Sequence, residues 1–212
     1  ESDSHHTLPV INHQRDRLDS LELYPFREAI LRGLSGVMVA HINVPSLDSR
    51  ENRATSVSRP VITELLRGEL DFKGLVVTDA MNMKGLSQFF EPGEREVEAV
   101  KAGNDILLMP TDVAKAISSI KRAVRKGEIA EEQINESCRR ILHAKYWSGL
   151  NAYEPVRTDS LLNHLNKPVY DKHRRKLVEH SLILAKNRDS VLPLKNLERV
   201  KLATVTIGTP SG

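Results

Sequence analysis

The sequence predicts a parallel α/β fold. Three observations carry this reading. Short runs over residues 36–42, 75–77 and 106–109 are apolar on consecutive positions rather than alternate ones, which suits strands buried on both faces. Helical spacings lie between and after these runs. The runs recur at roughly 30-residue intervals, the period of strand–helix–strand units. A doubly wound sheet and a barrel both fit this period, and in both the carboxyl ends of the strands are where ligands bind.

Taken in order, residues 21–32 are predicted to form a helix. Leu23, Phe26, Ala29 and Ile30 share one face, Pro25 is tolerated in a first turn, and Gly33 is a natural stop. Residues 36–42, GVMVAHI, follow as a buried strand with His41 near its end. A polar loop over 48–58 leads to a helix that starts near Pro60, carries Val61, Ile62, Leu65 and Leu66, and ends near Gly68. The central strand at 75–77 is preceded by Gly74 and followed by Thr78 and Asp79. Residues 85–93 read as irregular, 94–102 as a short helix, and 106–109 as a third buried strand ended by Pro110. Thr111 or Asp112 caps the next helix, in which Val113, Ala116, Ile117, Ile120 and Val124 follow helical spacing until Gly127. A helix over 131–146 places Ile134, Cys138, Ile141 and Leu142 inward, with Arg139, Arg140 and Lys145 favourably near its C-terminus. Two helices after Met109 without a strand between them mark the finish of the sheet or barrel. Residues 148–170, punctuated by Gly149, Pro155 and Pro168, read as a surface linker. A helix at 171–180 and strands at 181–186 and 200–207 read as the opening of a second α/β domain, too short to bury its own core.

Composition narrows the function classes. Of 212 residues, 40 % are hydrophobic and 28 % charged, which places the chain among globular proteins rather than disordered ones. It has no apolar run of about 18 residues, so no membrane-spanning helix is expected. The net charge of +3 comes from Lys and Arg scattered among acids. Without a basic stripe with interleaved aromatics, nucleic-acid binding is not expected. The single cysteine, Cys138, excludes an intrachain disulfide and a cysteine-based zinc site; on the apolar side of its helix it reads as a small core residue. No cofactor is expected. The chain opens ESDSHH, without an initiator Met or a signal-peptide pattern, and stops at TIGTPSG just after an apparent strand. It is therefore expected to be a piece of a longer protein.

Several residues are candidates for chemistry. Asp79, where a buried strand meets a loop, could act as nucleophile, general base or metal ligand, or cap a following turn. Asp3 and His5 are two apart, so the carboxylate could bond one imidazole nitrogen while the other faces a substrate. Asp3, His5, His6 and His13 could alternatively form a metal site, or the stretch could be a solvated terminus or the remnant of a tag. His41, at a strand end, is either a hydrogen-bonded structural residue or, with Met81, a substrate contact.

Together these pieces resemble glycoside hydrolase family 3, in particular its bacterial β-N-acetylglucosaminidase branch. The resemblance rests on DSHHTLPVI, LYPFREAI, GVMVAHINVPSLD, FKGLVVTDAMNM and AGNDILLMP, in that order and spacing. SLILAKNRDSVLPL resembles the start of that family's second domain, so the similarity runs from Asp3 to about Gly208. It implies the C-terminal half of a TIM-type (β/α) barrel at 1–147, a linker at 148–170, and the beginning of an α/β sandwich domain at 171–212. It maps the nucleophile of the VTDAM motif onto Asp79. It maps the branch's acid/base pair, an Asp-x-His on a mobile loop, onto Asp3 and His5, where other members use a Glu from the second domain. The first half of the barrel and its Lys-His…Gly-His-Gly segment, which helps hold the N-acetyl sugar, are not in this chain.

The implied activity is a retaining glycoside hydrolase that releases terminal β-linked N-acetylglucosamine from peptidoglycan fragments or chitooligosaccharides through a glycosyl-enzyme. The alternatives are a β-glucosidase-like or phosphorylase member, or an inactive fragment serving as a binding module. The implied partner is a small carbohydrate, with the missing barrel half required for activity and export favoured by the two-domain resemblance. Without an upstream anchor, the Asp3–His5 stretch is expected to be mobile.

Overall fold

Two parallel strands frame the first part of the chain. β1 (Gly36–Val39) pairs with β2 (Leu75–Thr78), with Gly36 opposite Leu75 and Val39 opposite Thr78. A parallel pair needs a crossover, and the helix Pro60–Glu69 supplies it. That helix is wound in the wider π manner, Leu70 N–H reaching back five residues to the Leu65 carbonyl at 2.9 Å. Pro60 sits in its first turn, where a missing N–H costs nothing. The computed structural model describes residues 3–165, 167–188, 192–196, 198–199, 201 and 203. It divides into two compact units, Glu1–Tyr153 and Glu154–Gly212.

The crossover helix and β2 enclose the main core of Val39, Ile62, Leu66, Phe72, Val76 and Ala102. Phe72 is 1 % exposed, and burying a side chain of this size contributes about 2–3 kcal/mol. A second cluster joins Ala54, Val57, Met81, Leu86 and Ala99 beyond the strand ends. The longer α-helices of the first unit are α1 (Tyr24–Leu31), α2 (Glu94–Ala102), α3 (Val113–Arg125) and α4 (Glu131–Trp147). Asp112 caps α3 by accepting the Lys115 N–H at 2.9 Å, as its sequence position predicts. Gly127, at φ 72°, turns the chain out of that helix.

Several expectations need correction. Residues 106–109 are not a full strand: Ile106 makes a single parallel bridge to Val77, Ile106 to Leu108 are half-buried, and Met109 is exposed. β1 is open on one face, with Met38 57 % exposed, and α1 has no fully buried residue. Both border an apolar groove of about 540 Å³ that Phe26, Val37, Leu65 and Leu66 help to line.

Cys138 and Leu142 are exposed rather than inward. The reason is that α4 docks through a polar stripe at helical spacing. Gln133 bonds the Val100 carbonyl, Ser137 donates to Asp105 at 2.8 Å, and Arg140 donates to Asp105 at 2.9 Å. The Asp105 carboxylate, fully buried, also accepts from Arg67 at 2.7 Å and from the Val76 N–H at 2.9 Å. One anion thereby fastens the crossover helix, β2 and α4, and its charge is compensated by two guanidiniums.

In the second unit, α5 (Pro168–Ser181) begins three residues before the predicted helix, and a short helix, Leu161–Leu165, lies inside the predicted linker. Pro168 starts a helix here instead of breaking one. Residues 181–186 do not form the predicted strand: Ser181 ends α5, and Leu182, Ile183 and Leu184 are exposed, with no strand paired to them among the described residues. Of the strand expected at 200–207, only residues 201 and 203 are described, and the rest lies outside the described residues.

Candidate active site

Asp79 is placed by the backbone on both sides of β2. Its N–H donates to the Val39 carbonyl at 3.0 Å, the preceding Thr78 N–H to Ile106, and the Met81 N–H to the Leu108 carbonyl at 2.8 Å. The Thr78 hydroxyl, fully buried, accepts the Leu108 N–H at 3.0 Å. The Asp79 side chain is half-buried, so it remains open to solvent, and its Oδ1 accepts the Ala80 N–H at 2.8 Å. A carboxylate so placed has one oxygen held and one free to react.

His41 is fully buried, and both of its ring nitrogens are engaged: Nε2 with the Ala80 carbonyl at 3.0 Å and Nδ1 with Ser56 Oγ at 2.6 Å. A carbonyl only accepts, so Nε2 carries the hydrogen. Burial is the main influence pushing His41 below its ordinary pKa, against the Ala80 bond and the Asp79 charge and with help from Arg95. The neutral ring therefore accepts the Ser56 hydroxyl at Nδ1. Met81 is likewise fully buried, packed with Ala54, Val57 and Leu86. His41 and Met81, expected as substrate contacts, are both fully buried: His41 spends its polar atoms on Ser56 and Ala80, and Met81 fills the core.

Asp3 and His5 come together on an exposed turn. Asp3 Oδ1 accepts the His5 backbone N–H at 2.9 Å and faces His5 Nδ1 at 2.7 Å. The Asp3 carbonyl accepts the N–H groups of His6 and Thr7. Asp3 is held below the ordinary carboxylate pKa, first by the His5 backbone N–H and then by the His5 ring. His5 Nε2 has no partner among the described residues and points its lone pair or proton outward. The stretch is tied at two places. The Gly85 N–H donates to the Ser4 carbonyl at 3.1 Å, and Val10 bridges Asn43, with Asn43 N–H to Pro9 and Ile11 N–H to Asn43. Gly85 permits this approach because a Cβ there would meet the Ser4 and Thr7 carbonyl oxygens at 2.7 Å each. Gly85 lies six residues past Asp79 in sequence, so the loop of the pair rests on the segment that leaves the candidate nucleophile. His6 and His13 do not join a metal site with Asp3 and His5; no group of three ligating side chains is gathered among the described residues.

Sequence reasoning missed the polar residues underneath. Ser56 and Asn104 are buried; Asn104 Nδ2 donates to the Ser56 carbonyl at 2.8 Å and to the Ala99 carbonyl at 2.7 Å. Asp48, also buried, accepts from Ser58 at 2.6 Å and from Arg50 at 2.8 Å. Burial raises the Asp48 pKa, but the Arg50 and Ser58 bonds outweigh it and hold it at about 2. The available signal was position for Asn104, which lies at the turn before the 106–109 run; Asp48, Ser56 and Ser58 lie within the polar 48–58 loop, where nothing marked them.

The family model for the glycosyl hydrolase family 3 N-terminal domain matches residues 1–144. Beta-hexosaminidase A of Pseudoalteromonas piscicida is 33 % identical over 220 residues, covering 93 % of this chain and 36 % of that protein. A beta-N-acetylglucosaminidase/beta-glucosidase of Cellulomonas fimi is 28 % identical over 177 residues, covering 80 % of this chain and 31 % of that protein. The solved structure of a family 3 beta-N-acetylglucosaminidase from Paenibacillus sp. str. FPU-7 superposes with a TM-score of 0.71 at 42 % identity, covering 75 % of this chain and 31 % of that one. The chain thus spans about a third of the length of these relatives.

Proposed function

The chain belongs to glycosyl hydrolase family 3, and from that premise we propose that it carries the catalytic groups of a retaining glycosidase acting on terminal β-linked N-acetylglucosamine. The observation that carries this reading is the Asp3–His5 pair, closed at 2.7 Å on a loop whose Ser4 is bonded to Gly85 just after Asp79. Asp79 attacks the anomeric carbon and the bond to the leaving oxygen breaks, giving a glycosyl-enzyme. His5 Nε2 gives its proton to the leaving oxygen and then takes one from the incoming water, whose oxygen bonds the anomeric carbon as the bond to Asp79 breaks and frees the carboxylate. Asp3 fixes the ring through Nδ1 and supports its charged form. Peptidoglycan fragments and chitooligosaccharides are the natural polymers with such termini, and an exported location accompanies this reading.

A mixed activity that includes β-glucosides is the second reading, favoured by the double name of the Cellulomonas fimi relative. In both readings the chain is the latter half of a TIM-type barrel followed by the start of an α/β sandwich. On its own it would have little activity, because β1 is open on one side and a sugar would not be enclosed. The test uses the intact protein with aryl N-acetylglucosaminide and aryl glucoside substrates. Turnover of the first above the second supports the proposal, and hydrolysis of neither overturns it.

A further inference from the structure

Ala80 is held on both sides. Its N–H, in the Asp79–Ala80 peptide, donates to Asp79 Oδ1 at 2.8 Å, and its carbonyl, in the Ala80–Met81 peptide, accepts His41 Nε2–H at 3.0 Å. His41 is in turn fixed by Ser56, and Ser56 by Asn104, which is bonded to the C-terminal end of α2 at Ala99. His41 and Ser56 are fully buried and Asn104 nearly so. Their bonds therefore do not compete with water, and each group has a defined direction. The Ala80–Met81 peptide is held by His41 at its carbonyl and by Leu108 at its N–H, and the Asp79 N–H is held by Val39; the Asp79–Ala80 peptide between them, whose N–H meets the Asp79 carboxylate, is thereby left little freedom. We propose that His41 and Ser56 are positioning residues for catalysis, aiming Asp79 at the anomeric carbon by clamping the Ala80 carbonyl without touching the sugar.

This inference rests on Asp79 being the nucleophile. Misplacing a reacting atom by about 1 Å costs on the order of 10²-fold in rate. The clamp acts on the aim of the carboxylate, so its loss should appear in kcat and in the rate of forming the covalent enzyme, with KM nearly unchanged.

The experiment follows the rate at which a mechanism-based fluorinated glycosyl fluoride labels Asp79 in the intact protein, alongside kcat and KM for an activated aryl glycoside. His41→Gln keeps an N–H donor near the place of Nε2, whereas His41→Leu removes it, and Ser56→Ala removes the support behind the ring. The expected result is labelling within about tenfold of the parent for His41→Gln, a loss of about 10²-fold for His41→Leu and of about tenfold for Ser56→Ala, with KM moved less than about threefold. If His41→Leu does not fold, the other two variants decide: Ser56→Ala slowed with KM unchanged, while His41→Gln stays active, supports the clamp. Parent-like labelling in His41→Leu or Ser56→Ala, or His41→Gln falling as far as His41→Leu, overturns it. If the parent protein is labelled at a residue other than Asp79, the nucleophile assignment fails first and the clamp with it, an outcome separate from loss of the clamp alone.

Discussion

Asp79 stands on a segment bonded to Val39 and Leu108 and, through His41, to Ser56 and Asn104, whereas His5 stands on an exposed turn bonded to Asp3 and carried by Ser4 on Gly85. One seat is buried and fixed from several directions. The other is open to water and fixed from two. Displacement at carbon tolerates little error in the approach of the nucleophile. A proton donor must meet leaving groups of different shape and then turn to a water, so an adaptable loop suits it. The contrast teaches that the two halves of one proposed reaction are supported by different kinds of structure.

The largest expected effect comes from removing the fixed partner. In the intact protein Asp79→Ala should lower kcat by about 10⁴-fold or more for every substrate, since no covalent intermediate can form. Equal activity of the variant, measured with an activated aryl glycoside, breaks the comparison. His5→Ala should lower kcat by about 10²–10³-fold for poor leaving groups and far less for activated ones, with azide restoring turnover of the latter. A uniform loss without azide rescue removes His5 from the acid/base role, and Asp3→Asn should show the same pattern more weakly. The fixed half should also respond in stability. Asp105→Asn leaves Arg67 and Arg140 without their shared anion, and urea unfolding should show a loss of about 3 kcal/mol. Gly85→Ala pushes against the carbonyls of Ser4 and Thr7; it should cost about tenfold on poor leaving groups while Asp79 is still labelled at the parent rate.

The smallest effect is an acid limb. Asp48, held at about 2 in the folded state, contributes stability that is fully present above its unfolded value near ~3.9 and is lost as pH falls through about 2. Arg50 is half exposed, so the contribution is on the order of 1–2 kcal/mol after screening. Asp48→Asn should lower stability at pH 7 by that amount and flatten the stability profile between pH 4 and about 2, as followed by thermal unfolding.

Local signals in the sequence were legible. The parallel pairing of two apolar runs followed from their composition and spacing. The cap at Asp112, the stop at Gly127 and the helix at 94–102 each depend on residues close in the chain. So did the Asp3–His5 contact, which spans two residues. What needed partners far away was not legible. Cys138 faces outward because Ser137 and Arg140 seek Asp105 more than 30 residues earlier. His41 is drawn inside by Ser56 and Ala80, 15 and 39 residues away. Residues 106–109 and 181–186 have the composition of strands, but a strand is completed by its neighbours, and among the described residues the first has a single bridge and the second none.

The Asp105 carboxylate bears on how the first unit comes apart. Arg67, Val76, Ser137 and Arg140 all converge on its two oxygens. Freeing any one of these elements strands a desolvated charge for the others. In native-state hydrogen exchange, the amides of 60–69, β2 and the middle of α4 should therefore open as one cooperative block, while the turn at 3–7 exchanges freely long before that block is breached.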